Sequence, residues 1–179
     1  MRVGSKVLEL RVIRDGWADA RDVSGSPPKV GGGERKREGK IMENARYTGG
    51  CACGQMKYDI TGESVRMLNC HCRDCQRASG SAYAALLAFE QKSVKLTGEL
   101  RYYGVTSERG KRLERGFCPN CGNPVTIKPG ARPNLLYVQA GSLDDPSLHK
   151  PTAQIWVRSA PPWDYIDPRV PRFDTRQPQ

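Results

Sequence analysis

The stretch FCPNCGNP, residues 117–124, sets Cys118 and Cys121 in a turn suited to wrapping an ion. Pro119 stiffens that turn. Gly122 can take a positive φ, so the chain can curl until backbone N–H groups face sulfur. A C-x-x-C pair supplies two thiolates, whereas a structural zinc takes four. The missing two must come from elsewhere in the chain, and their origin decides how the fold is pinned.

Two other stretches offer thiols. GGCACG, residues 49–54, carries Cys51 and Cys53, and CHCRDC, residues 70–75, carries Cys70, Cys72 and Cys75. In one partition Cys51, Cys53, Cys118 and Cys121 close a tetrahedron, and Cys70, Cys72 and Cys75 hold a second ion. In the other, two cysteines of CHCRDC complete the turn at 117–124, which strands the remaining three. The first partition uses all the cysteines, and three thiolates within six residues can wrap an ion unaided. Three protein ligands leave one position for water or substrate, the pattern of a catalytic zinc. His71 lies between two ligands, so its side chain should point away from the ion and sit as a polar residue at the rim.

Composition narrows the class. The chain has 179 residues and is 37% hydrophobic, enough for one domain with a modest core. Its longest apolar run, AYAALLAF at residues 82–89, is far short of the ~20 residues a membrane helix needs. The N-terminus has no apolar segment of signal-peptide length. The expectation is a soluble, cytoplasmic protein with no membrane partner. Seven cysteines, an odd number, in a reducing compartment favour metal binding or chemistry over disulfides. The net charge is +10, of which ten Lys/Arg against six Asp/Glu in the first 40 residues give +4. A basic excess spread along the chain suits an acidic small molecule as well as nucleic acid.

Residues 1–41 are rich in Gly, Pro, Ser and charge, with little to bury. They read as a flexible basic tail or a gene-model extension, with Met42 as the expected natural start. VLELRVI, residues 7–13, is an isolated strand candidate there. Residues 42–165 read as a zinc-binding β domain of short strands: MKYDI, AYAALLAF, SVKL, LRYYGV, PVTIK, NLLYVQAG and AQIWVR. Only SLDDPSLHK suggests a brief helical turn. Residues 166–179 read as an irregular, Pro-containing tail.

A divalent ion held by three thiolates carries a net negative charge, which weakens it as a Lewis acid towards water. It suits a soft fourth ligand, a thiol, whose pKa it lowers. Thiol chemistry is therefore expected at Cys70, Cys72 and Cys75. An acidic thiol needs a cationic handle, and Arg73, Arg77, Arg109, Lys111, Arg112 and Arg115 lie near the cysteines in sequence. Ser79 and Ser81, just beyond the third ligand, can add hydroxyl contacts. The candidate substrate contacts are Arg73, Arg77, Ser79, Ser81 and Arg109.

The ordered motifs GGCACG, CHCRDCQRASGS, SERGKRLERGFCPNCGNP and IWVRSAPPW resemble the glutathione-dependent formaldehyde-activating enzyme family, which includes centromere protein V, over residues 47–163. The resemblance implies a structural zinc on Cys51, Cys53, Cys118 and Cys121 and a catalytic zinc on Cys70, Cys72 and Cys75. It implies two small antiparallel sheets pinned by zinc, the β-tent or Mss-four-like fold. It also implies a carbon–sulfur lyase joining glutathione or a similar thiol to formaldehyde or another small electrophile, or cleaving the adduct. The chain departs from the family at Gln154, where relatives often carry a His before the Ile-Trp step. His149 does not fill that place. The alternative is a non-enzymatic zinc module binding nucleic acid or protein. The basic charge favours it, and the lack of an aromatic-studded basic stripe weighs against it.

Overall fold

The computed structural model describes residues 45–107 and 110–176. The stretch 1–41, its VLELRVI strand candidate and Arg109 lie outside the described residues. The described chain is mainly β. Strands β1 (Arg46–Gly50), β2 (Lys57–Thr61) and β5 (Val94–Thr97) form an antiparallel three-stranded sheet in the order β1-β2-β5. A second, eight-stranded sheet holds β3 (Arg66–Cys70), β4 (Ala84–Glu90), β6 (Arg101–Thr106), β7 (Arg112–Phe117), β8 (Pro124–Pro129), β9 (Leu135–Gln139), β10 (Ala153–Ile155) and β11 (Arg172–Phe173). Its order is β11-β10-β3-β4-β9-β8-β7-β6.

This is the expected mainly β arrangement of two sheets. The larger sheet exceeds the expectation in size and is mixed, because β10 runs parallel to both β3 and β11. Residues from 166 onward, read as an irregular tail, supply β11 to that edge. SLDDPSLHK contains the expected turn, a 3-10 segment at Pro146–Leu148 capped by the Asp145 side chain. One helix, α1 (Arg73–Ser79), was not legible, because seven residues are too few to show a helical period.

Alternation along the strands explains the layering. Tyr47 of β1 and Tyr58 and Ile60 of β2 face inward and pack with Leu87 and Phe89 of β4 and Val138 of β9. Tyr47 meets Phe89 edge to face, with ring centroids 4.9 Å apart. AYAALLAF is apolar throughout because β4 is buried on both sides. Leu87 and Phe89 face this first core, and Ala84 and Leu86 face a second one with Leu68, Cys70, Cys75 and Ile127. The second face carries the candidate site.

Candidate metal centres and active-site pocket

The four-cysteine cluster joins two distant turns. Cys51 and Cys53 follow β1, and Cys118 and Cys121 lie between β7 and β8. Gly54 at φ 74° and Gly122 at φ 71° close the two turns, as expected of Gly122 from the sequence. The sulfurs of Cys51 and Cys53 stand 3.4 Å apart, and those of Cys53 and Cys118 3.7 Å apart. All four lie within 4.8 Å of one another. Four sulfurs bound at ~2.3 Å to a tetrahedral ion stand about 3.8 Å apart, so the donor set fits zinc. Backbone donors stabilise the thiolates. The Met56 N–H donates to Cys51 Sγ at 3.2 Å and lowers that thiol's pKa, and the Asn123 N–H lowers that of Cys121.

The three-cysteine cluster is local. Cys70 ends β3 on the strand face that also carries Arg66 and Leu68. Cys72 is the N-cap of α1, its sulfur accepting from the Cys75 N–H at 3.4 Å, and Gly80 closes the helix in the left-handed conformation. Cys72 and Cys75 are three residues apart and so share one side of the first turn. The sulfurs of Cys70, Cys72 and Cys75 lie within 4.8 Å of one another, which fits one ion with three protein ligands. Hydrogen bonds from Cys70, then from Cys75, pull the Cys72 thiol down to about 2, while the bond shared with Cys72 pushes Cys70 well up.

Beside this cluster the second sheet face opens into a cavity of ≈ 410 Å³. Residues two apart line it strand by strand: Arg66, Leu68 and Cys70 on β3, Leu113 and Arg115 on β7, and Ile127 and Pro129 on β8. Cys75 reaches it from α1, and Tyr137, Ile155 and Trp156 complete the apolar wall. Arg132 and Arg176 stand on the same lining. Trp156 has a positive φ of 61°, a strained conformation for a side chain of that size. Its N–H donates to the Thr175 carbonyl at 2.7 Å, and Arg158 stacks on its ring at 5.0 Å, which together hold the indole at the pocket.

His71 does not sit at the rim as expected. It is fully buried (0% exposed), because the loop turns it away from the sulfurs into a bed of Tyr83, Gln154 and Asp164. Its Nε2 lies 3.2 Å from Gln154 Oε1 and its Nδ1 3.0 Å from Asp164 Oδ2. Gln154, at the position where the sequence departs from the family pattern, therefore packs behind the cysteine loop. The Gln76 side chain donates to the His71 carbonyl at 2.6 Å and to the Ser159 carbonyl at 2.7 Å, tying α1 to the chain after β10.

The expected substrate contacts on α1 do not line the cavity. Arg73 is exposed and donates to Gln76 Oε1, and Arg77 and Ser81 are exposed. The Ser79 hydroxyl donates to backbone carbonyls, at 2.9 Å for Cys75 and 3.0 Å for Tyr83. Of the basic residues near the cysteines, Arg115 lines the cavity, and the described Arg73, Arg77, Lys111 and Arg112 do not. Arg66, Arg132 and Arg176 were missed. Arg132 and Arg176 are far from the cysteines in sequence and reach the lining only through the fold, whereas Arg66 stands four residues before Cys70 on β3, and its shared strand parity with Cys70 is a signal that could have found it.

The fold and site define a two-sheet β protein with two cysteine clusters that could each hold a metal ion, one joining distant turns and the other beside an arginine-lined pocket. Residues 46–159 match the family model described as glutathione-dependent formaldehyde-activating enzyme, and the chain belongs to that family. No curated protein matches the chain closely enough to be taken as a relative. A crystal structure of a Rhodobacter sphaeroides protein aligns at 18% identity over 70% of this chain and 98% of that one, with a TM-score of 0.45.

Proposed function

We propose that the chain is a carbon–sulfur lyase-type enzyme that joins glutathione or a similar thiol to formaldehyde or a related small electrophile, and cleaves the adduct in reverse. The observation that carries this reading is the three-cysteine cluster set beside a cationic cavity of ≈ 410 Å³. The family description and the chemistry of the three-thiol donor set support it. Cys51, Cys53, Cys118 and Cys121 would hold a structural zinc, and Cys70, Cys72 and Cys75 a catalytic one. Bound by three thiolates, zinc offers a fourth position to a soft ligand and keeps a thiol as its thiolate at neutral pH.

The chain's own residues then bind and orient. Leu68, Leu86, Ile127 and Trp156 enclose the reacting sulfur and limit water around it. The arginines draw the anionic thiol to the cavity. In the forward direction the substrate sulfur forms a bond to the aldehyde carbon. The carbonyl π pair moves to oxygen, and the proton released by the thiol ends on that oxygen, so thiol plus aldehyde gives the hydroxymethyl thioether with nothing left over. All seven cysteines fall into the two candidate metal clusters and none into a disulfide among the described residues, which supports action in a reducing cytoplasm. No helix among the described residues is long and apolar enough to cross a membrane.

The reaction is tested by exchange NMR on zinc-loaded protein with glutathione and formaldehyde. Exchange between free and adduct glutathione should run faster than in buffer with wild-type protein and at the buffer rate with Cys72→Ser. Equal rates with both proteins would remove the enzymatic reading.

A further inference from the structure

The cavity beside Cys70 and Cys75 does not end at Arg115. Beyond that residue the same sheet face opens into a second cavity of ≈ 210 Å³, reached by Ala78 near the end of α1, Tyr103 of β6 and Gln139 of β9. Arg115 and Ile127 line both spaces. They are cross-strand partners on β7 and β8, and the register shifts one residue further on, at Gly116/Phe117. Such a bulge re-aims the side chains beside it.

Arg115 Nη1 is buried and has no hydrogen-bond partner. Among the described residues, no carboxylate pairs with Arg115. A guanidinium N–H left buried and unpaired is costly, and a carboxylate that accepts from the planar fork removes that cost. Arg132 and Arg176 place further positive charge on the larger cavity and attract an anionic ligand towards it.

We propose that Arg115 is the specificity-determining residue of this site: it binds a carboxylate of the thiol substrate, so the enzyme selects acidic, peptide-sized thiols over neutral ones. The assignment rests on the functional reading above for the thiol, and on the cavity alone for the carboxylate. The larger cavity holds the reacting sulfur near Cys70 and Cys75, the guanidinium grips the carboxylate, and the smaller cavity takes the remainder of an extended ligand. The rival role for Arg115 is that of a counter-charge to the cysteine cluster, since its positive charge favours the thiolate at Cys72.

Three probes separate these roles on metal-loaded protein: glutathione, its diethyl ester, and S-methylglutathione, which keeps both carboxylates but has no free thiol. Calorimetry on the wild type should find glutathione bound about tenfold or more tighter than the ester. In Arg115→Met the two should come within about twofold of each other, and Arg115→Lys should restore part of the gap. S-methylglutathione should bind the wild type and weaken about tenfold in Arg115→Met. Equal binding of acid and ester by the wild type would overturn the proposal, whether or not any variant folds. So would an equal loss of acid and ester in Arg115→Met accompanied by loss of metal, which is the outcome of the counter-charge role. If no free thiol perturbs the metal while S-methylglutathione still binds through Arg115, the thiol reading fails and the carboxylate site stands. If none of the probes binds, both fail.

Discussion

Cys72 has two places in the three-cysteine cluster, as N-cap of α1 and as one of the three sulfurs that could hold an ion. Serine is a good N-cap, so Cys72→Ser should keep α1 and the fold while removing a thiolate that Cys70 and Cys75 cannot replace. The expected outcome is an unchanged far-UV spectrum, retention of the four-cysteine metal and loss of the second. Tyr58 makes a separate, pH-dependent contribution. Its hydroxyl is 3.0 Å from Ser142 Oγ, and burial pushes its pKa up to about 12. The folded value lies above the unfolded value of about 10, so the contribution is complete below pH ~10 and is lost as the pH rises towards 12. The loss amounts to about 3 kcal/mol when the titration is complete. Denaturant melts between pH 10 and 12 should show this decline in the wild type and a flatter profile in Tyr58→Phe.

At the scale of elements, the contact between β1 and the 3-10 turn after β9 is unusually close. A Cβ at Gly49 would lie 2.2 Å from the Ser142 carbonyl oxygen and 2.4 Å from the Tyr58 hydroxyl. Gly49 is also bridged to Leu143. Gly49→Ala should therefore push β1 off that turn and displace the Tyr58 ring, at a cost of about 1–3 kcal/mol, measured as a shift in denaturation midpoint with an unchanged m-value. The same scale explains what was legible beforehand. AYAALLAF, PVTIK and NLLYVQAG announce β4, β8 and β9, because β-branched and apolar side chains buried on a sheet leave a dense run. RMLNC and RLERGF, which form β3 and β7, alternate core residues with pocket arginines and so read as polar. The seven cysteines divide as their spacing suggests, since each C-x-C or C-x-x-C turn is set locally. The substrate handles were sought by nearness in sequence to the cysteines, on and just after α1 and at Arg109, but the convergence of Arg66 of β3, Arg115 of β7 and Arg132 of the turn between β8 and β9 on one cavity is made by the sheet order.

For the whole molecule, the two clusters differ in what they connect. Cys51 and Cys53 adjoin the smaller sheet, while Cys118 and Cys121 sit in a turn of the larger one, so an ion there ties together segments some 65 residues apart. Cys70, Cys72 and Cys75 lie within one strand-to-helix corner. Graded chelation should remove the three-cysteine metal first with little change in Tm. Loss of the four-cysteine metal should then collapse the thermal transition, because that binding free energy is folding free energy. Simultaneous loss of both metals with no change in Tm would contradict the structural role of the first cluster. On the proposed reading one cluster is closed and the other accepts a thiol. Metal analysis joined to glutathione titration of the cobalt-substituted protein tests it most directly. The expected result is two metals per chain, one for each cluster, with added glutathione altering the visible spectrum of one and leaving the other unchanged. A single metal per chain, insensitive to thiols, would contradict it.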